Sequence, residues 1–286
     1  MPRRNVLVSP RLSELKKRRR RSVVNKFLIS LLGLVAIFAL FSYISRLDSL
    51  NIKDIQIAGN KALDAETVKN AVSQKLTGKY IWLFPKTNIL YYPQGGIKSE
   101  LQNQFKRIEN IDLSVDTNKI LIITLAEREA KYTWCGQEIS VIGGDSGQKC
   151  YFMDTEGYIF DEAPYFSGNV YFKFYGSLNT AEPMGIHFLG NKFINIIKFK
   201  ETIESMKLSP TAFWLENNGD ANFSLSKDPT IGGKIIFKID SDFEKIAENL
   251  QAAVSGEPLK SKLKNNLSSL LYIDLRFSNK VYDKFQ

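Results

Sequence analysis

The sequence predicts an α+β protein that is anchored in a membrane by one N-terminal helix. Residues 27–45 contain no charged side chain and lie directly behind a basic segment. Beyond them the pattern is first strand, helix, helix, strand, strand, and then many short strands with flanking helices. These observations predict a transmembrane helix, a small βααββ unit and a β-rich domain with flanking helices.

The uncharged stretch has the length of a membrane span. Its nineteen residues, at a rise of about 1.5 Å each, form a helix of roughly 28 Å, close to the ~30 Å hydrocarbon core of a bilayer. A cleaved signal peptide is the alternative, but it has a shorter apolar region followed by a small-residue cleavage site. The stretch ends Leu40-Phe41-Ser42-Tyr43-Ile44-Ser45, without such a site, so we predict an anchor that is not cleaved.

Charge predicts the orientation of this anchor. Residues 1–26 contain ten of the 39 basic and one of the 30 acidic residues, and therefore carry the whole net charge of +9. Lys and Arg beside a spanning helix stay in the cytoplasm, which predicts a single-pass protein of the inner membrane with an extracytoplasmic bulk. Because orienting the anchor already explains the basic run, we predict no nucleic-acid partner for it. The topology-determining side chains are Lys16, Lys17, Arg18, Arg19, Arg20, Arg21 and Lys26.

The βααββ unit begins with a predicted strand over residues 52–57, which Gly59 and Asn60 close. Asp64 precedes the first of two amphipathic helices. Strands over residues 111–115 and 120–125 follow the second helix. The apolar faces of the helices contain Val68, Val72 and Leu76 in the first and Ile97, Leu101, Phe105 and Ile108 in the second.

The β-rich part begins after Arg128. Short strands are predicted at residues 132–135, 151–154, 170–174, 213–216, 222–225 and 234–239, with helices at 191–206 and 242–254. Ser241 and Glu244 have capping-box spacing at the start of the second helix. A third amphipathic stretch and a final strand follow, with the apolar positions Leu259, Leu263, Leu267 and Leu270, and then Leu271, Ile273, Leu275 and Phe277.

Four short motifs behind the basic tail and the spanning helix resemble a known family. They are Ile55-Gln56-Ile57-Ala58-Gly59-Asn60, Glu127-Arg128 followed by Trp134, Asp154-Thr155-Glu156-Gly157-Tyr158-Ile159-Phe160, and Tyr272-Ile273-Asp274-Leu275-Arg276-Phe277. In this order they resemble the FtsQ/DivIB family of bacterial cell-division proteins, over residues 20–286. The chain departs from the family where Ala130 replaces a usual Pro, in an added loop between Cys135 and Cys150, and in a long aromatic segment at 80–93.

The resemblance implies a non-enzymatic scaffold of the division machinery, enriched at the division septum. It implies a cytoplasmic tail at residues 1–26, a transmembrane helix at 27–45, a POTRA domain at 46–128 and a family β-domain at 129–286. In this family the final strands offer an edge to which a small single-span protein, FtsB-like and bound to an FtsL-like protein, adds a strand of its own.

This implied edge predicts a partner-binding site at the C-terminus. The alternative is that its apolar side chains fold back and complete the core of the β-domain. Under the first reading, removal of residues 278–286 should abolish partner binding and leave the β-domain folded. The predicted binding residues are Phe277, Ser278, Asn279, Val281, Tyr282 and Phe285.

The two cysteines and three tryptophans have predicted structural roles. Cys135 and Cys150 lie outside the membrane at the ends of two predicted strands, so they are candidates for a disulfide, with two buried free thiols as the alternative. Trp82, Trp134 and Trp214 are expected in the cores. For Trp82 the alternative is contact with the membrane surface, because its unit follows the anchor directly.

The sequence predicts no enzyme, cofactor, metal site or small-molecule substrate. Gly144-Asp145-Ser146-Gly147 copies the string around a trypsin-like nucleophile, but the only histidine, His187, follows this serine. One histidine and two cysteines make no ordinary zinc site, and the acidic run at residues 240–244 suits a helix start better than calcium. The other functions considered are a POTRA protein of transport or envelope assembly, and an anchored cell-wall hydrolase.

Overall fold

A computed structural model describes residues 10–138, 148–166, 170–226, 232–277 and 280–286. It shows a mixed α+β protein with one long apolar helix at the N-terminus and a large β-sheet. The chain divides into two compact units. The first contains the chain up to Leu101 together with Asn110–Ala126, and the second contains Gln102–Glu109 together with Glu127–Gln286.

Helix α1 (Pro10–Ser45) is much longer than the predicted span. Its part from Glu14 to Ser45 contains a stretch that is long and apolar enough to cross a membrane, the one such helix among the residues that the structure describes. The helix extends through the basic segment because Lys and Arg are good helix formers. Pro10 occupies the first helical position, where its missing N–H removes no helical hydrogen bond.

The rest of the first unit contains a three-stranded sheet. Its elements are β1 (Asp54–Ala58), α2 (Ala65–Leu76), a short hairpin of β2 (Lys79–Tyr80) and β3 (Phe84–Pro85), α3 (Gln94–Gln104), β4 (Ile108–Val115) and β5 (Ile120–Glu127). The strand order is β1-β5-β4, and β1 runs parallel to β5. The sequence pattern did not predict the hairpin between the two helices.

Helices α2 and α3 bury the apolar faces that their periodicity predicts, with one correction. Asp64 caps α2 by accepting a hydrogen bond from the Thr67 N–H at 2.8 Å. The predicted face of α3 was wrong at its C-terminal end, since the helix ends at Gln104 and Ile108 begins β4. As part of a strand, this segment forms hydrogen bonds to the neighbouring strand, which it could not form as a further turn of α3. The buried helical side chains are Val68, Ala71, Val72, Leu76, Ile97 and Leu101.

The second unit is built on a nine-stranded sheet with the order β14-β13-β12-β11-β10-β9-β6-β7-β8. Its strands are β6 (Tyr132–Trp134), β7 (Cys150–Met153), β8 (Ile159–Ala163), β9 (Phe172–Tyr175), β10 (Ala212–Leu215), β11 (Asp220–Ser224), β12 (Lys234–Lys238), β13 (Leu270–Phe277) and β14 (Lys280–Phe285). Its helices are α4 (Phe193–Ser205), α5 (Phe243–Ser255) and α6 (Leu259–Asn266).

Helix boundaries in this unit correct two sequence expectations. Asp242, and not Ser241, caps α5, because its carboxylate accepts hydrogen bonds from the N–H groups of Glu244 and Lys245. The third amphipathic stretch is not one helix, since α6 ends at Asn266 and Leu270 belongs to β13.

The main core lies between the three helices and one face of the sheet. Strand residues two positions apart point to the same face, so Phe213 joins this core while its neighbours Ala212 and Trp214 belong to a small cluster on the other face. The core is dominated by aromatic rings that are fully buried. Those in the main cluster are Phe174, Phe188, Phe193, Phe199, Phe213, Phe223 and Phe237.

We predict that Phe223→Ala destabilises the second unit by about 3–5 kcal/mol, because it removes a fully buried ring and leaves a cavity. The measurement is urea unfolding of the full chain in detergent, followed by circular dichroism. Phe277→Ala is the control, since its ring is 51% exposed. Equal shifts for the two variants would contradict the assignment of the core.

Candidate functional site

Strand β14 forms one end of the nine-stranded sheet. It pairs antiparallel with β13, with Asp274 opposite Tyr282 and Leu270 opposite Phe285. Within the described part of the chain no strand pairs with its other side. We call β14 (Lys280–Phe285) the C-terminal edge. Its outer side presents backbone groups to which another extended chain can hydrogen-bond.

One side of the C-terminal edge is used for folding. Val281 and Phe285 pack against the main core. Asp283 accepts a hydrogen bond from Lys262 on α6 at 2.8 Å, and the Lys262 ammonium lies 5.4 Å from the centre of the Phe285 ring. For Val281 and Phe285, the alternative of folding back onto the core therefore holds.

The other predicted binding residues behave differently. Phe277 and Tyr282 are 51% and 47% exposed, and their ring centres lie 5.1 Å apart in an edge-to-face arrangement. We call these two residues the aromatic pair. Ser278 and Asn279 lie outside the described residues. Of the six predicted binding residues, the structure thus brings Phe277 and Tyr282 together on the surface beside the edge.

An ion network lies next to the aromatic pair. The Arg276 guanidinium donates to both carboxylate oxygens of Asp274, at 3.0 Å from Nε and 2.6 Å from Nη2, and donates to Asp220 Oδ2 at 2.8 Å from Nη1. Lys238 Nζ lies 2.5 Å from Asp220 Oδ1. The four residues join β11, β12 and β13, and both carboxylates are buried.

The charges of this network stabilise one another. Burial alone would raise the pKa of the Asp220 carboxyl, but the hydrogen bonds from Lys238 and Arg276 outweigh it and hold that pKa below its usual range. The hydrogen bond to Asp274 in turn raises the pKa of the Arg276 guanidinium, which therefore stays charged. The network is a fixed set of charges, and its arrangement suits holding strands in register.

The network and Tyr282 share one face of the sheet. Asp274 and Tyr282 are directly opposite each other on β13 and β14, and opposite residues project to the same side. Ile273, Leu275 and Val281 belong to the core on the other side. The sequence analysis used Asp274-Leu275-Arg276 only as a family motif. The signal for its role was present, because opposite charges two residues apart on a strand lie on one face.

Two further motifs are in contact with each other. Arg128 Nη1 donates to Asp154 Oδ2 at 2.5 Å, and its guanidinium lies 4.1 Å from the centre of the Tyr158 ring. Asp154 Oδ1 accepts from the N–H groups of Glu156 and Tyr158 and so shapes the turn before β8. Gly157 has φ +76°, and a Cβ there would meet the Phe193 ring. These motif residues have structural roles.

Cys135 and Cys150 are joined by a disulfide in the structure. Strands β6 and β7 pair Trp134 with Tyr151, so the two cysteines occupy the next position of the ladder, at the base of the loop. Residues 139–147, including the Gly144–Gly147 string, lie outside the described residues.

His187 and the acidic run at residues 240–244 lie in the part of the chain that the structure describes. The half-exposed His187 lies 3.9 Å from the Glu156 carboxylate, and its ring centre is 4.9 Å from that of Tyr158. Among the described residues no group of three or more His, Cys, Asp or Glu side chains could hold a metal ion. In the acidic run, Asp242 caps α5 and Asp240 pairs with Lys192.

The tryptophans divide into two kinds. Trp134 and Trp214 are half-buried and donate their indole N–H groups to backbone carbonyls, at 3.0 and 3.2 Å. Trp82 was wrongly expected in a core, because its side chain is 91% exposed. The basic side chains from Lys16 to Lys26 are all exposed on α1.

Comparison with known proteins adds no assignment. No protein-family model matches the chain, and no curated protein matches its sequence. A functional proposal therefore rests on the residues themselves.

We predict that Asp220→Asn lowers the free energy of unfolding by about 1–3 kcal/mol at neutral pH, because it removes the negative charge and one of the two acceptor oxygens that Lys238 and Arg276 use. A depressed pKa contributes stability above the ordinary carboxyl value of 3.8 and loses it as the pH falls through the folded value. The difference in the free energy of unfolding between wild type and Asp220→Asn should therefore become smaller as the pH falls.

The measurement for this prediction is urea unfolding of both full chains at a series of pH values. Glu162→Gln is the control, since it removes an exposed ion pair with Lys149 that contributes little stability. A gap between wild type and Asp220→Asn that stays constant down to the lowest pH would contradict the role of the carboxylate.

Proposed function

We propose that the protein is a non-enzymatic, single-span scaffold of the bacterial division machinery, similar to FtsQ/DivIB, that binds small membrane partners through the C-terminal edge. The observation that carries the proposal is an edge strand, β14, whose outer side pairs with no strand among the described residues and which an exposed aromatic pair flanks. The same chain has an apolar helix of membrane-spanning length. The proposal includes a POTRA domain in the first unit and a family β-domain in the second.

The proposed topology rests on charge. The basic residues before the apolar stretch stay in the cytoplasm, and the chain beyond Ser45 crosses to the other side. The part of the first unit beyond Ser45 and the second unit with its C-terminal edge then lie outside the cytoplasm, where the Cys135–Cys150 disulfide is stable. In this arrangement the scaffold meets other single-span proteins through the parts that project from the membrane.

The proposed binding mode is addition of a partner strand to β14. The N–H and C=O groups on the outer side of the edge supply affinity through main-chain hydrogen bonds, and alternate side chains supply specificity. Phe277 and Tyr282 fit the role of anchors, because the exposed parts of their aromatic rings can be buried at an interface. FtsB-like and FtsL-like single-span proteins are the proposed partners.

The structure shows that truncation after Phe277 is not a clean test of partner binding. Removal of residues 278–286 would delete β14 and, with it, the core contacts of Val281 and Phe285. We therefore expect the shortened chain to be destabilised as well as inactive in binding, which corrects the expectation that the β-domain would remain intact. Point substitutions in the aromatic pair separate binding from folding.

We predict that Phe277→Ser and Tyr282→Ser each weaken partner binding by roughly 30-fold or more, as is typical of aromatic hot spots. The partners are first identified by mass spectrometry after purification from native membranes, and their affinity for each variant is then measured. Tyr165→Ser is the matched control, since this ring is 70% exposed and follows β8 at the opposite end of the sheet.

Hydrogen exchange tests the binding mode directly. When the partner binds, backbone amides of β14 should exchange more slowly, while those of β8, the other end strand, should not change. Slower exchange at β8 alone would move the site to the other end of the sheet. Failure of the wild-type chain to bring down small single-span proteins would contradict the division scaffold itself.

A further inference from the structure

The hairpin between α2 and α3 exposes an apolar tip. We call residues 79–85 the Trp82 hairpin. Ile81 is 83% exposed and Trp82 is 91% exposed. Most Trp and Ile side chains are largely buried, whereas these two neighbours are exposed to water. In a chain with a membrane-spanning helix, lipid is an apolar environment that could bury such a tip.

The backbone of the tip is held in an unfavourable conformation. Ile81 and Trp82 have φ values of +47° and +60°, a region that β-branched residues in particular avoid. The Leu83 N–H donates to the Tyr80 carbonyl at 3.0 Å and closes the turn. Tyr91 contacts the rings of Tyr80 and Phe84 edge-to-face and supports the hairpin from behind. Strain retained in a supported loop is typical of functional positions.

The Trp82 hairpin is bonded to the last turn of α1. Ser42 Oγ donates to the Leu83 carbonyl at 3.1 Å, and the hydroxyl groups of Ser45 and Tyr91 share a hydrogen bond of 2.7 Å. Ser42 and Ser45 are buried, whereas the side chains around them on α1 are exposed. Leu83 of the hairpin and Tyr91 behind it therefore bind the two serines of an otherwise apolar helix end.

These contacts set the depth of the hairpin. Ser42 lies three residues before the end of the uncharged stretch at Ser45, which is about 4.5 Å along the helix axis. The Leu83 carbonyl is thus level with the last turn of the apolar stretch, where the hydrocarbon core gives way to the headgroups. Trp82 directly precedes Leu83, and tryptophan is one of the side chains that concentrate in this layer.

We propose that the Trp82 hairpin inserts Ile81 and Trp82 into the outer interface of the bilayer and forms a second membrane contact beside α1. The apolar side chains enter the boundary between headgroups and acyl chains. Arg46, the hairpin residue Lys79 and the following Lys86 face the lipid phosphates. This inference rests on the membrane anchor of the proposed function, and lipid is the occupant to which it commits.

The test uses the tryptophan emission of the full chain in vesicles whose acyl chains are brominated close to the headgroups. Bromine quenches an indole only at short range. The signal of Trp82 is the difference between wild type and Trp82→Phe, so that Trp134 and Trp214 cancel. We expect this difference signal to be shifted to the blue, quenched by the brominated lipid, and protected from a water-soluble quencher.

Three outcomes are distinguishable. A difference signal that is quenched from water and not from lipid, with the chain retained in the membrane after alkaline extraction, overturns the insertion and leaves the anchor intact. If alkaline extraction releases the chain from the membrane, the membrane anchor of the proposed function is contradicted, and the insertion of the hairpin with it. Lipid protection that is lost on diluting the protein in lipid shows contact between copies of the chain and overturns the lipid assignment.

A matched variant separates insertion from folding. Ile81→Ser and Trp82→Ser together remove the apolar tip, while Ser42→Ala removes the hydrogen bond that sets its depth. Insertion predicts that the serine variant increases the exchange rate of the hairpin amides of the full chain in vesicles, while the amides of α2 and β5 keep their rates. An equal increase at α2 and β5 means that the tip serves folding only.

Discussion

The second unit depends on a row of phenylalanine rings that crosses four neighbouring strands. Phe174, Phe213, Phe223 and Phe237 lie on β9 to β12, with ring centres 5.4 to 5.5 Å apart from one strand to the next. Phe193 and Phe199 of α4 contact the two ends of the row. Burial of these rings fixes which side of each strand faces the helices, and the alternation of strand side chains then decides the composition of the opposite face.

That opposite face holds the features from which we infer function. Asp220, Asp274 and Arg276 can neutralise one another there only because the register set by the core brings β11, β12 and β13 into line. The C-terminal edge uses the same alternation, since Val281 and Phe285 contact the core while Tyr282 remains outside. One strand can therefore be held firmly by one set of side chains and present another set to a partner.

The sequence predicts what local patterns determine. Periodicity located most of the strands and helices, and a length of nineteen uncharged residues located the apolar part of α1. The sequence-based prediction failed where a local preference competed with a contact to a residue far away in the sequence. Ile108 fits a helical face but belongs to strand β4. Arg276 donates a hydrogen bond to Asp220, which lies 56 residues away in the sequence. Trp82 is apolar and was expected inside, because sequence alone does not show which surface meets water.

The continuity of α1 has a consequence for mechanics. The basic segment and the residues that hold the Trp82 hairpin belong to a single helix of 36 residues, so their angular positions about its axis are coupled. One added residue within the apolar stretch would turn the basic end by about 100° relative to Ser42 and shift it by about 1.5 Å. A rotation applied at the basic end is therefore transmitted along the helix to Ser42 and to the hairpin that is hydrogen-bonded to it.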